Sequence, residues 1–147
     1  MRTANDYIIR PAADHDFGAI GSLLNLCGLP TEGIKEKLSG FLVADCSGVA
    51  GVIGMEFSRE SVLLRSLAVS PDRRNSRIAS ALVDQCLGQT RRSGCKEAYL
   101  ITGTAEKFMQ RWGFVKIDRS QLPETLLKAS GLDGACPSCS TCMKLNL

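Results

Sequence analysis

The chain has 147 residues and a formal net charge of +3, and 44% of its residues are hydrophobic. This length predicts a single domain over residues 1–147, with enough apolar side chains for a core. Aromatic residues make up only 5% of the sequence, which argues against a nucleic-acid partner held by base stacking. No stretch approaches the roughly 20 apolar residues of a membrane span, so we expect no membrane partner. Seven cysteines and no signal-peptide pattern predict reduced thiols and a cytoplasmic location.

The first elements are predicted to be a strand and a helix. Residues 7–10 read as the strand, and Asp14 is the expected N-cap of the helix, which Gly28 and Pro30 end. The apolar positions of this helix are Phe17, Ile20, Leu23, Leu24 and Cys27. His15, the only histidine, falls in its first turn, and we expect it to be exposed rather than catalytic.

Three strands are predicted next. A short helix comes before them, with the cap and apolar positions Thr31, Ile34 and Leu38. Residues 41–45 read as a strand, and Ser47-Gly48 as its turn. A strand over residues 49–57 then leads through a hairpin at residues 58–60 to a strand over residues 62–69.

An arginine-rich loop follows this fourth strand. The apolar run stops at Ser70-Pro71, and a polar loop over residues 72–76 leads to a predicted helix over residues 76–92. A strand, a tight basic loop and a helix start direct several backbone N–H groups and a helix dipole at one point, which is an arrangement that binds phosphate. Neither a Walker nor a Rossmann motif is present. The alternative is an ordinary β–α turn with solvated arginines.

The next segment is predicted to be strand, short helix and strand. Residues 98–102 form the first strand, Thr104 caps the helix, Gly113 ends it, and residues 114–117 begin the second strand. The apolar side of the helix is predicted to comprise Ala105, Phe108 and Trp112.

The C-terminal segment is predicted to contain one or two helical turns over residues 122–129 and a closing strand over residues 141–145. Three cysteines recur at a spacing of three: Cys136, Cys139 and Cys142. Three thiolates suit a trivalent arsenical, because soft ions favour soft ligands. Core or incidental cysteines are the favoured interpretation, and no metal site is predicted.

Two motifs resemble the GNAT N-acetyltransferase family. The sequence LAVSP over residues 67–71, followed by RNSRIA over residues 74–79, is similar to the family's motif Q/R-x-x-G-x-G/A after a strand ending L-x-V-x-P. The match fails at the central glycine, where Arg77 stands. Residues 96–118 are similar to the family's A-x-x-F-Y-x-x-x-G-F helix, with Met109 at the tyrosine position. The resemblance extends over residues 8–147.

The resemblance implies an α/β (α+β) fold, the GNAT acyl-CoA N-acyltransferase fold, with a mixed, bent central sheet and helices on both faces. It implies acetyl-CoA as cofactor, with the loop amides on its pyrophosphate and the fourth strand paired with its pantetheine arm. Arg77 would either crowd that phosphate or bind it. The implied cofactor-binding residues are Leu67, Ala68, Val69, Arg74, Asn75, Ser76, Arg77, Ile78, Ala79, Ser80 and Phe108.

The implied reaction needs a neutral amine, and therefore a base. Glu56, at the end of the third strand, is the candidate general base; the alternative is a solvated hairpin carboxylate. Arg65 is either a clamp for a substrate carboxylate or part of a surface salt bridge. In the family the tyrosine is the general acid, so Met109 leaves that role unassigned.

A narrower resemblance points to the substrate. Residues 118–124 look like the N-acetylglutamate synthase-like branch, and residues 26–31 and 63–69 are similar to small arsenic-resistance-associated N-acetyltransferases. This implies a small amino-acid-like amine as substrate, arsenic-containing or glutamate, and a homodimer. Two alternatives stay open: a degenerate member that binds CoA without turnover, and a thiol-based metalloid binder.

Overall fold

A computed structural model describes residues 7–29, 31, 33–73, 77–103, 105–126 and 141–147. The described strands are β1 (Ile8–Pro11), β2 (Phe41–Asp45), β3 (Val49–Ser58), β4 (Ser61–Val69), β5 (Glu97–Thr102), β6 (Val115–Ile117) and β7 (Thr141–Asn146). They form one sheet in the order β1-β2-β3-β4-β5-β7-β6. The α-helices with both ends described are α1 (Phe17–Leu26), α2 (Ile78–Arg92) and α3 (Glu106–Gln110).

The chain divides into two compact units. The N-terminal unit comprises residues 1–55 and 66–89, and the C-terminal unit comprises residues 56–65 and 90–147. β3, β4 and α2 contribute residues to both units. A single domain over residues 1–147 therefore stays a prediction.

The core of the N-terminal unit is apolar and includes the face of α1 that the helical spacing predicts. Its buried members are Ile20, Leu23, Leu24, Ile34, Leu38, Phe41, Val43, Val52 and Ala68. Phe17 is an exception to the predicted face, because this first residue of α1 is 41% exposed.

The start of α1 differs from the prediction. Asp14 begins a short 3-10 helix that ends at Asp16, and α1 follows from Phe17, so Asp14 as the cap of α1 is wrong. The carboxylate of Asp16 accepts the Ala13 N–H at 2.7 Å and pairs with Arg10 at 2.7 Å, so this acid organises the turn. His15 is exposed, as expected.

The short helix predicted after Thr31 is also wrong. Residues 33–37 form turns, and a 3-10 helix over Leu38–Gly40 follows them. The φ of Gly33 is 75°, which no residue of a right-handed helix adopts, and this breaks the helical pattern. β2 and the turn at Ser47-Gly48 lie where they are predicted, with a φ of 57° at Ser47.

The C-terminal unit contains the one parallel pairing with a described register. β4 pairs in parallel with β5 from Ser61–Glu97 to Leu64–Leu100, and β7 lies antiparallel between β5 and β6. Its core cluster contains Leu63, Tyr99, Leu122 and Leu126. Of the predicted helix over residues 122–129, residues 124–126 are helical and residues 127–129 lie outside the described residues.

The apolar side predicted for α3 is wrong. Met109 is the buried residue of this helix, at 3% exposure, whereas Ala105 and Phe108 are only half-buried. α3 has five residues and ends at Gln110, so Trp112 lies beyond it. Gly113 follows with a φ of 96°, as expected of a residue that ends a helix. Thr104, the predicted cap, lies outside the described residues.

Candidate functional site

The predicted strand before the loop and the start of the predicted helix after it are present in the N-terminal unit. β4 ends at Val69, and the next residue, Ser70, donates its N–H to the carbonyl of Ala50 at 2.8 Å. A 3-10 turn over Pro71–Arg73 follows, and α2 begins at Ile78. The hydroxyl of Ser70 donates to the carboxylate of Asp72, which lowers the pKa of that carboxyl. The predicted cofactor residues Arg74, Asn75 and Ser76 lie outside the described residues.

Arg77 adopts the conformation that glycine normally supplies. Its φ is 66°, in the left-handed region, and its side chain is exposed. Its carbonyl accepts the N–H of Ala81 at 3.0 Å, which is the first helical hydrogen bond of α2. The left-handed conformation costs a residue with a Cβ about 1–2 kcal/mol. Arg77 therefore adopts, at that cost, a backbone conformation that favours glycine.

α2 lies close to β3 because Gly51 has no side chain. A Cβ at Gly51 would lie 2.8 Å from Cγ2 of Ile78 and 3.1 Å from Cδ1 of Leu82. Ile78 itself is 1% exposed, so its side chain belongs to the core. A glycine within a strand indicates such a close approach, and Gly51 is therefore a residue on which the position of α2 depends.

The start of α2 can bind an anion through its backbone. The first N–H groups of a helix have no partner within the helix, and the dipole adds partial positive charge there. In α2 these include the N–H groups of Ile78, Ala79 and Ser80. Because the Ile78 side chain is buried and those of Ala79 and Ser80 are small, the main chain is the part of these residues suited to hold a diphosphate.

The C-terminal part of β4 carries a feature that its sequence did not reveal. Ser66 has a φ of 58° within the strand, which interrupts the alternation of its side chains. Beyond it, Ala68 is buried in the core, whereas Leu67 and Val69 are half-buried. The thiol of Cys27 lies 3.8 Å from the carbonyl oxygen of Val69.

Glu56 and Arg65 form an ion pair in the C-terminal unit. Oε1 of Glu56 lies 2.6 Å from Nη1 of Arg65, and the side chains are only 9% and 14% exposed. The Glu56 carboxylate is therefore paired rather than solvated, and Arg65 takes part in a salt bridge that is partly buried. The roles of Glu56 as base and of Arg65 as clamp stay predictions.

Phe108, the predicted cofactor contact of α3, belongs to an aromatic group. Its ring meets that of Trp112 edge to face, with 4.9 Å between the centroids. The Arg111 guanidinium lies 5.4 Å from the Phe108 centroid and 5.5 Å from that of Trp112. Phe108 is half-buried, and its role as a cofactor contact stays a prediction.

The C-terminal cysteine cluster is only partly described. Cys142 lies in β7 at 4% exposure, and burial raises the pKa of its thiol. Cys136 and Cys139 lie outside the described residues. Among the described residues, no group of three or more His, Cys, Asp and Glu side chains is arranged to hold a metal ion. No helix within those residues is long and apolar enough to span a membrane.

Comparisons with known proteins agree with this geometry. Residues 37–116, more than half of the chain, match the model of the acetyltransferase (GNAT) domain, which confirms the resemblance stated above. A search of curated proteins finds no significant match.

Several solved structures share the fold. Rv2747 from Mycobacterium tuberculosis, in complex with CoA and NLQ, aligns with a TM-score of 0.82 at 20% identity, over 95% of this chain and 99% of that one. N-acetylglutamate synthase from Neisseria gonorrhoeae, with coenzyme A and N-acetyl-glutamate, aligns with a TM-score of 0.83 at 20% identity over 96% of this chain, which spans only 35% of the synthase. The PaiA N-acetyltransferase from Thermoplasma acidophilum, with coenzyme A, aligns with a TM-score of 0.75 at 14% identity, over 96% and 99% of the two chains. These alignments confirm the predicted α/β fold class.

Proposed function

This chain belongs to the acetyltransferase (GNAT) family, and from that premise we propose that it transfers acetyl from acetyl-CoA to the amine of a small amino-acid-like substrate. The observation that supports the donor most strongly is the start of α2, where Arg77 holds the left-handed conformation expected of a glycine. Three of the solved structures that share the fold are complexes with CoA, which supports the same donor for this chain.

The donor is held mainly by the backbone. N–H groups of Ile78, Ala79 and Ser80 bind its diphosphate, together with the predicted loop residues 74–76. The exposed guanidinium of Arg77 adds a charged contact, since arginine matches phosphate oxygens in geometry. Residues 67–69 pair with the pantetheine arm, and Phe108 completes the predicted contacts.

The chemistry requires a base and a stabilised oxyanion. Glu56 accepts a proton from the ammonium group of the substrate, so that a neutral amine attacks the thioester. A backbone N–H of β4 polarises the thioester carbonyl, an interaction worth about 3 kcal/mol per donor. Met109 is buried at 3% exposure. Its thioether has no proton to donate, so it cannot act as the general acid. A thiol leaves without one, because its pKa is about 8.5.

Arg65 selects the acceptor by binding its carboxylate. Arginine binds carboxylates in a bidentate manner, and the Neisseria synthase was crystallised with N-acetyl-glutamate. We therefore expect free amino acids, including glutamate and arsenic-containing analogues, to be better acceptors than simple alkyl amines.

Two measurements test the proposal. Saturating acetyl-CoA should raise the thermal unfolding midpoint, because a ligand that binds only the folded state stabilises it. Free CoA released with a panel of amines then identifies acceptors. Binding without release for any amine would favour a CoA-binding protein without turnover, an alternative that the buried Met109 in the family's tyrosine position supports. No binding would contradict both.

A metalloid-binding role for the C-terminal thiols and an acetyltransferase activity predict different results when these thiols are replaced. Replacing Cys136, Cys139 and Cys142 by serine should leave acetyl transfer intact if the chain is an acetyltransferase. The buried position of Cys142 in β7 favours that outcome.

The proposal includes a cytoplasmic location and a homodimeric assembly. No disulfide joins any of the five described cysteines, Cys27, Cys46, Cys86, Cys95 and Cys142, which fits a reducing cytoplasm. We expect a homodimer from the family resemblance, and light scattering of the purified protein measures it.

A further inference from the structure

We propose that Glu56 occupies the position on Arg65 that the acceptor's carboxylate takes during the reaction. Glu56 becomes available as a base only when that carboxylate displaces it from Arg65. The inference rests on the proposed function and assigns to the pair a selection step that acts before acetyl transfer.

The burial of the pair supports an exchange of partners. Glu56 and Arg65 are 2.6 Å apart and largely removed from water. A largely desolvated guanidinium that loses a carboxylate partner is destabilised, so a second carboxylate that takes the place of Glu56 keeps Arg65 in an ion pair. An acceptor carboxylate replaces Glu56 with a group of the same charge and geometry, whereas an amine without a carboxylate offers no replacement.

The exchange requires only one partner to move, and we assign the movement to Glu56. Arg65 directly precedes Ser66, whose φ of 58° fixes a local irregularity in β4, and it follows Leu63 and Leu64, both buried. Glu56 lies near the end of β3, two residues before Ser58. A rotation about its side-chain bonds is enough to move its carboxylate, and the main chain of β3 need not change.

Two lysines of the unit are already paired with other carboxylates. Lys144 pairs with Glu97 at 2.8 Å, and Lys96 lies 3.5 Å from Glu60. Once displaced, the Glu56 carboxylate is neutralised by the ammonium group of the acceptor itself, which carries both charges that the pair requires.

Each of the two protons that the acceptor nitrogen loses has a destination. The ammonium N–H bond breaks and its proton passes to a carboxylate oxygen of Glu56. The amine lone pair then forms the C–N bond to the thioester carbon, the C–S bond breaks, and the second amine proton goes to the CoA sulfur. Glu56 finally releases its proton to water.

The test uses glutarate, a dicarboxylate without an amine, titrated calorimetrically into the protein saturated with CoA. Glu56→Gln weakens the internal competitor, so glutarate should bind about tenfold more tightly than to wild type. Arg65→Gln should abolish the binding. Glu56→Asp, one methylene shorter, should tighten it to a smaller extent, and this variant keeps the charge if Glu56→Gln folds poorly.

A kinetic comparison separates positioning from simple loss of stability. In the wild type, kcat/KM for an amino acid should be at least about 100 times that for its amide, since a polar site rejects an analogue that leaves its charged group unpaired. Glu56→Gln should lower KM for the amino acid while lowering kcat. Equal or weaker glutarate binding by both Glu56 variants, with CoA still bound, would overturn the inference alone; loss of CoA binding by the wild type would overturn the proposed function.

Discussion

The two units build their candidate sites in different ways. In the N-terminal unit the site consists of main-chain conformation: a left-handed Arg77 and the first turn of α2. In the C-terminal unit it consists of side-chain charge: Glu56 against Arg65 at 2.6 Å. A site made of backbone should tolerate a change of side chain that keeps the main-chain conformation, and Arg77 has a φ in the region that favours glycine. A site made of a buried ion pair depends on both side chains, because removal of either leaves a desolvated charge.

The largest expected effect is on the ion pair. Glu56→Gln or Arg65→Gln alone should lower the free energy of unfolding by about 3–5 kcal/mol. The double variant should lower it much less, because neither charge then remains without the other. Urea denaturation of the four proteins measures the coupling. Lys96 and Glu60, exposed and 3.5 Å apart, are the matched control, with an expected coupling below about 1 kcal/mol. Additive losses in the buried pair would mean that Glu56 and Arg65 act independently.

The next effect concerns the approach of α2 to β3. Gly51→Ala introduces a Cβ 2.8 Å from Ile78, and such overpacking typically costs about 1–3 kcal/mol. The shift of Ile78 should also weaken acetyl-CoA binding, which calorimetry measures. Gly21→Ala in α1 is the control: nothing lies within 4 Å of the added Cβ, and alanine favours a helix by about 1 kcal/mol. Unchanged affinity in Gly51→Ala would show that the position of α2 does not govern binding.

Acid should weaken the N-terminal unit through Asp16. Its hydrogen bond with Arg10 lowers the pKa of Asp16 from 3.8 to about 2. A carboxyl whose pKa is lower when folded stabilises the protein above its unfolded pKa, and this contribution of about 2 kcal/mol disappears as the pH falls from about 4 to about 2. Asp16→Asn should therefore be less stable than wild type at neutral pH, with the difference vanishing near pH 2.

The control for this measurement is Asp14→Asn, since Asp14 is exposed. It should change the free energy of unfolding at neutral pH by less than about 0.5 kcal/mol. A difference between wild type and Asp16→Asn that persists unchanged at pH 2 would contradict the assignment to the Asp16 carboxylate.

The smallest effect compares two left-handed arginines. Arg77→Gly should weaken acetyl-CoA binding about three- to tenfold and reduce its salt dependence, because one charged contact is lost. Arg59, with a φ of 56° and an exposed side chain, lies in the turn between β3 and β4. Arg59→Gly makes the same backbone change and should leave affinity unaltered. Tighter binding by Arg77→Gly would mean that the side chain crowds the diphosphate.

Local patterns predicted the elements that depend on local physics. The apolar run ending at Val69 and the helical spacing from Ile78 indicated a strand and a helix, and the structure has both. Residues 74–76 of the predicted loop lie outside the described residues. The α1 face of Ile20, Leu23 and Leu24 followed from the same periodicity.

The predictions failed where contacts outside the local sequence pattern determine the structure. The turn before α1 depends on Arg10 reaching Asp16, which no local pattern shows. The partnership of Glu56 with Arg65 depends on how the β3–β4 hairpin aligns the two strands. Ser66 is the hardest case, because a serine in an apolar strand gives no signal of a φ of 58°. Charged pairs across strands and local bulges are settled by tertiary packing.

The central claim is that the main chain at the start of α2 binds the donor's diphosphate. An NMR titration of acetyl-CoA tests it directly by following the backbone amide signals of Ile78, Ala79 and Ser80. The account predicts large, saturable shifts at these three amides, and the same shifts with CoA, which carries the same diphosphate. Saturable binding that leaves these amide signals unmoved, or no binding at all, would contradict it.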